Sequence, residues 1–231
     1  MLSDIAYQWK LIYSPVRWIV CLLFIVMVPF IFYAPTARDV LNISEIYMPL
    51  AGMIMMTDLM LIEITCQASE TVYMSKQHRG VPLVYRFIMI TVLLSCCLLI
   101  SYGIIQGKSM DTGSFTFEFF KMYMIVMPGM LLMGMLGMTF ANLTSFTAAG
   151  YLPALLYWGY WMTNSTMNQD MPFHLFAFAN NNNYILSKGL LLLTVLFFLG
   201  INIYMVNQSP LRRMRINHLK KHIKRFKKKS M

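Results

Sequence analysis

Apolar residues dominate this chain in long runs, with polar residues confined to short gaps between them. A run of about 18–22 apolar residues, at 1.5 Å per helical residue, crosses a hydrocarbon core roughly 30 Å thick. Such runs fall at 18–34, 46–65, 84–105, 119–140, 145–162 and 185–206, and Gly150 and Pro153 interrupt the fifth. The pattern predicts an all-α membrane protein with six transmembrane helices, the fifth span broken, in a transmembrane domain over 17–207.

Both ends carry a different pattern. Before the first run, Leu2, Ile5, Trp9, Ile12 and Val16 recur at helical spacing while Asp4, Gln8 and Lys10 take other faces. This predicts an N-terminal interfacial elbow helix over 1–16, with Pro15 permitting a turn into the bilayer; an early start of the first span is the alternative. In the tail, 208–231, Ile216, Leu219, Ile223 and Phe226 form a stripe among Arg212, Arg213, Arg215, Lys220, Lys221, Lys224, Arg225, Lys227, Lys228 and Lys229. A basic amphipathic helix on anionic lipid is the expectation, with Trp9, Arg212, Arg213, Arg215, Lys220 and Lys221 at the headgroups. No nucleic-acid-binding fold accompanies the charge, and an acidic partner face is the remaining use for it.

Composition supports the same class. The chain is 58% hydrophobic and 12% charged, with mean hydropathy +0.58 and net charge +10, whereas a soluble domain is roughly 45–50% apolar and about 25% charged. An even number of crossings puts both termini on one side, and the basic tail makes that side cytoplasmic. Lys10, Arg17, Lys76, Arg79 and Arg86 then also lie inside. Arg38, Lys108, Lys121 and Lys188 lie outside, with Asp39, Glu45, Asp111, Glu118 and Asp170 in short external loops. Cys21, Cys66, Cys96 and Cys97 sit in or beside apolar runs, so neither disulfides nor a metal site is expected. The first residues lack the pattern of a removable signal peptide.

The longest internal gap, 66–86, reads CQASETVYMSKQHRGVPLVYR and accommodates a short helix ended by Gly80 and Pro82. An elbow helix, six spans, a short helix after span two opening near Glu70, and a broken fifth span together resemble the ABC-2 type permease family. The likeness covers nearly the whole chain by architecture more than by letters. Its motifs are Glu70, where the family often has a glutamate opening its coupling helix, and GVPLVYR at the exit into span three. The family's frequent Gly-Thr after that glutamate reads Thr71-Val72 here. The resemblance implies a type V fold, as in ABCG proteins. It also implies a dimer of such subunits, identical or homologous, each coupled through a cytoplasmic coupling helix to a separate ABC ATPase that binds ATP and Mg. Glu70, Lys76, Gln77, His78 and Arg79 would make that partner contact; a solvated connecting loop is the plainer reading of the same residues.

Several motifs bear on chemistry. Gly107-Lys108-Ser109 lacks the first glycine of a phosphate loop at the required spacing, so this chain is not expected to hydrolyse ATP and carries no cofactor. Asp58 and Glu63, with Thr57, fall in the second predicted span. Intramembrane carboxylates suggest function, and these either face a polar cavity or pair with a neighbouring helix. The run VMPGMLLMGMLGMTF, with Met130 and Met133, either lines an adaptable apolar path or packs helices closely through its glycines. A re-entrant or interfacial segment is expected over 163–184. Signatures of rhomboid and CAAX-type proteases, water channels and voltage sensors are absent from the sequence.

The expectation is therefore a multi-pass permease subunit of a bacterial cell-membrane exporter, moving an amphipathic or hydrophobic peptide, drug or lipid-like substrate outward. A scaffold or sensor that recruits a partner through its basic tail is the alternative.

Overall fold

The structure is a computed structural model describing residues 9, 15, 18–19, 21–25, 36–61, 80–112, 118–164, 171, 173–180 and 184–207. It is all-helical, without strands among the described residues. The helices are α1 (Ala37–Met56), α2 (Gly80–Thr112), α3 (Phe119–Thr144), α4 (Thr147–Thr163), the short α5 (Ala177–Asn180) and α6 (Tyr184–Asn207).

Three of them, α2, α3 and α6, are long and apolar enough to cross a membrane. By length and composition this is a helical membrane protein. Three of the six predicted spans, 84–105, 119–140 and 185–206, fall on these helices, and the other three stand differently. Most of the 18–34 run lies outside the described residues. Helix α1 has 20 residues but carries Arg38, Asp39 and Glu45, and α4, with 17, stands at the short end of the lengths that cross a bilayer.

Helix α3 is the hub. Of its spanning stretch 83% is buried inside the protein, against 39% for α2 and 17% for α6. Helix α1 runs beside it in the same direction, bringing Pro49 against Gly129, Gly52 against Met130, Met56 against Gly134, and Thr57 against Gly137. The close approach depends on missing side chains: a Cβ on Gly52 would lie 2.1 Å from the Met130 carbonyl oxygen, and one on Gly134 would lie 2.5 Å from Met56 Sδ. Small residues at a helix crossing let dispersion contacts replace the hydrophobic drive that lipid cannot provide.

The chain turns back from α3 at Ser145, whose left-handed φ of 54° is the one positive φ among described non-glycine residues. Phe146 N–H closes this turn on the Ala141 carbonyl at 3.2 Å. Helix α4 then returns antiparallel, and Gly150 sits against the Gly137 backbone, where a Cβ would lie 2.4 Å from the carbonyl oxygen. The fifth span was expected to break at Gly150 and Pro153, yet α4 is continuous through both. Gly150 is a contact residue here, and Pro153 removes a single backbone bond near the helix start.

Other boundaries differ as well. The second predicted span, 46–65, corresponds to a helix that starts at Ala37 and ends at Met56, because apolarity alone does not register a helix stop. Thr36 caps the start: Asp39 N–H donates to Thr36 Oγ1, and Thr36 N–H donates to Asp39 Oδ2, each at 3.2 Å. Past Met56 the chain enters turns, with Leu61 N–H on the Asp58 carbonyl at 2.8 Å. Gly80–Arg86, read as the last part of a coupling loop, forms the first turns of α2; Pro82 is tolerated there because first-turn N–H groups have no helical acceptor. The Gly107-Lys108-Ser109 triplet also belongs to α2.

Candidate functional site

Glu45, read as an external-loop acid, and Lys188, read as a cation on the outer side, are both buried. Glu45 lies in the third turn of α1 with its side chain 0% exposed, and Lys188 lies in the second turn of α6 with its side chain 5% exposed. Their ion pair, Lys188 Nζ to Glu45 Oε1, measures 2.5 Å. Residues 174–179, between α4 and α6, pack over them. His174, Leu175, Phe176 and Ala177 in that segment are each 1% exposed or less.

The pair satisfies this segment's backbone. Phe178 N–H donates to Glu45 Oε1 at 3.1 Å and Ala179 N–H to Glu45 Oε2 at 2.9 Å, while Lys188 Nζ donates to the Leu175 carbonyl at 2.8 Å. A buried charge is tolerated only when paired and hydrogen-bonded, and here each partner does both. Lys121 from α3 adds a cation 5.8 Å from the centre of the Phe178 ring.

Aromatic side chains of α4 wall the other side. Tyr157 OH donates to the Phe173 carbonyl at 2.7 Å, and the Trp161 ring lies 4.1 Å from that of His174. His174 Nδ1 accepts the Phe176 N–H at 3.0 Å. Trp158 Nε1 donates to the Ile46 carbonyl at 2.8 Å. Close to that contact, Pro49 has no N–H to offer the carbonyl of Glu45, four residues back, although α1 is continuous through it.

The opposite end of the bundle is polar in a milder way. Asn202 of α6 donates to Thr139 Oγ1 at 2.8 Å and to its own helix at the Phe198 carbonyl at 2.9 Å. Asn142 Nδ2 reaches Asn202 Oδ1 at 3.5 Å. Arg86, 2% exposed, donates through Nη1 to the Leu59 carbonyl at 3.1 Å, tying α2 to the turns that follow α1.

The residues singled out from sequence fare differently. Thr57 is fully buried, donates to the Met53 carbonyl at 2.6 Å and packs on Gly137 and Gly150. Asp58 is half-buried in the turn after α1, away from the mid-helix position expected of it, because α1 ends two residues earlier. Met130 and Met133 are 1% and 0% exposed; in this conformation they fill the hub where helices meet. Trp9 is 44% exposed, its ring 6.3 Å from Trp18. Glu63, Glu70, Lys76, Gln77, His78, Arg79, Arg212, Arg213, Arg215, Lys220 and Lys221 lie outside the described residues. Sequence reasoning missed Glu45 and Lys188. The available signal was an acid in the run NISEIYMPL and a base in YILSKGLLLL, each set among apolar neighbours near the start of a helix.

Neither a protein-family model, nor a curated protein, nor a solved structure matches this chain.

Proposed function

We propose that this chain is the membrane subunit of an ATP-driven exporter of the ABC-2 permease kind, with six spans, both termini in the cytoplasm of a bacterial cell, and a separate ATPase as its energy source. The observation that carries the reading is the buried Glu45–Lys188 pair at one end of an apolar helix bundle. Ionisable groups are costly inside a membrane protein and concentrate where it moves substrates or changes conformation. A scaffold needs only lipid-facing helices and an exposed recruiting tail; it gains little from two charges sealed under an inward-folded segment.

In this reading the 66–86 region contacts the ATPase through Glu70, Lys76, Gln77, His78 and Arg79, and a second permease subunit completes the pathway. The substrate is amphipathic or hydrophobic, in keeping with an interior built mainly from Met, Leu and aromatic residues.

The test is purification of the native complex from its own membranes, followed by ATP turnover in lipid vesicles with and without a panel of amphipathic peptides. Co-purification of an ABC ATPase whose turnover the peptides raise supports export. Recovery of a stable oligomer with no ATPase overturns it in favour of the recruiting scaffold.

A further inference from the structure

The bonds seen along 173–180 among the described residues are of two kinds, local ones and ones to other helices. His174 N–H reaches the Met171 carbonyl at 3.3 Å, Phe176 N–H reaches His174 Nδ1 at 3.0 Å, and α5 is only four residues long. Three helices add bonds to this segment: Glu45 from α1, Lys188 from α6 and Tyr157 from α4. Helices α1 and α6 pack chiefly on α3, so the charged pair and the segment together are what join them at this end.

We infer that Glu45 and Lys188 form a two-state latch that holds 173–180 as a removable closure over the end of the helix bundle. The physical reason is how the contacts depend on one another. Glu45 Oε1 takes both Lys188 Nζ and Phe178 N–H, and Oε2 takes Ala179 N–H. Drawing the segment away strips the carboxylate of two donors and the ammonium of the Leu175 carbonyl. The pair is then underbonded unless water enters. Partial opening is therefore the costly state, and the segment is either fully seated or released with both charges hydrated. Permanent attachment needs no charge, since apolar side chains of similar volume hold buried segments at least as well. The inference is separate from the transport reading, because its measurement needs neither ATP nor an ATPase.

Hydrogen–deuterium exchange of the full chain in lipid nanodiscs tests it. In the unsubstituted protein, the Phe178 and Ala179 amides should exchange together through an opening that leaves α3 protected. Glu45→Gln and Lys188→Met should each speed exchange across 173–180 by about tenfold or more with α3 unchanged. The double exchange Glu45→Lys with Lys188→Glu restores an ion pair but places at position 45 a group unable to accept from two N–H donors, so it should remain fast. Protection of 173–180 equal to the unsubstituted protein in both single variants, or rescue by the charge exchange, overturns the latch. So does exchange of Phe178 and Ala179 only together with α3, a result read on the unsubstituted protein and independent of how well any variant folds.

Discussion

Replacing Gly52 with alanine probes the seam on which the bundle rests. An alanine Cβ there would stand 2.1 Å from the Met130 carbonyl oxygen, 2.6 Å from its carbon and 2.8 Å from its Cα. All three are backbone atoms of the hub helix, so no side-chain rotation relieves the clash. To restore a closest approach of 3.0 Å, α1 must withdraw from α3 by about 0.9 Å. A gap of 0.5–1 Å forfeits roughly a quarter to a half of each dispersion contact it opens. The same movement loosens Gly134, which rests on Met56 and the Gly52 carbonyl. Overpacking of this kind costs about 1–3 kcal/mol. At roughly 2–4 °C per kcal/mol for a chain near this length, Gly52→Ala should lower the thermal unfolding midpoint in detergent by several degrees. Gly103→Ala is the matched control: it also lies inside a helix, but nothing stands within 4 Å of its Cβ position. There alanine should raise helix stability by roughly 0.5–1 kcal/mol. An unfolding midpoint for Gly52→Ala at or above that of the unsubstituted protein refutes the close-contact account of the α1–α3 seam.

Other substitutions have smaller expected effects. Asn202→Leu removes the donor to Thr139 Oγ1 and the acceptor facing Asn142, and should destabilise the α3–α6 contact by about 0.6–2 kcal/mol, the range for interhelical hydrogen bonds in membrane proteins; an unchanged midpoint would show the asparagine to be dispensable. Trp158→Phe keeps the aromatic packing but leaves the Ile46 carbonyl without its indole donor, a loss of about 1 kcal/mol measurable by the same thermal scan, and a neutral result would mean another donor takes over.

Helices α2, α3 and α6 were readable from sequence because a spanning helix is a property of consecutive residues. Twenty apolar side chains in a row announce it wherever the rest of the chain lies, and the ends of 119–140 and 185–206 fall within a few residues of α3 and α6. The stop of α1 was not readable. Met55, Met56, Leu59, Met60 and Leu61 continue the apolar run across the point where the helix gives way to turns. The role of the Met- and Gly-rich run was half readable: its small residues signalled close helix approach, while the location of Met130 and Met133 in the hub depends on which helices surround α3.

Apolar patterning by itself determined that the chain is helical and membrane-embedded and where its longest rods lie, since lipid and water sort side chains one window at a time. Tertiary structure alone decided that Glu45 and Lys188 meet, that residues 174–179 bond to them, and that α3 stands at the centre. Each of these depends on groups far apart in the chain coming within hydrogen-bonding or van der Waals reach, and no local pattern carries that distance.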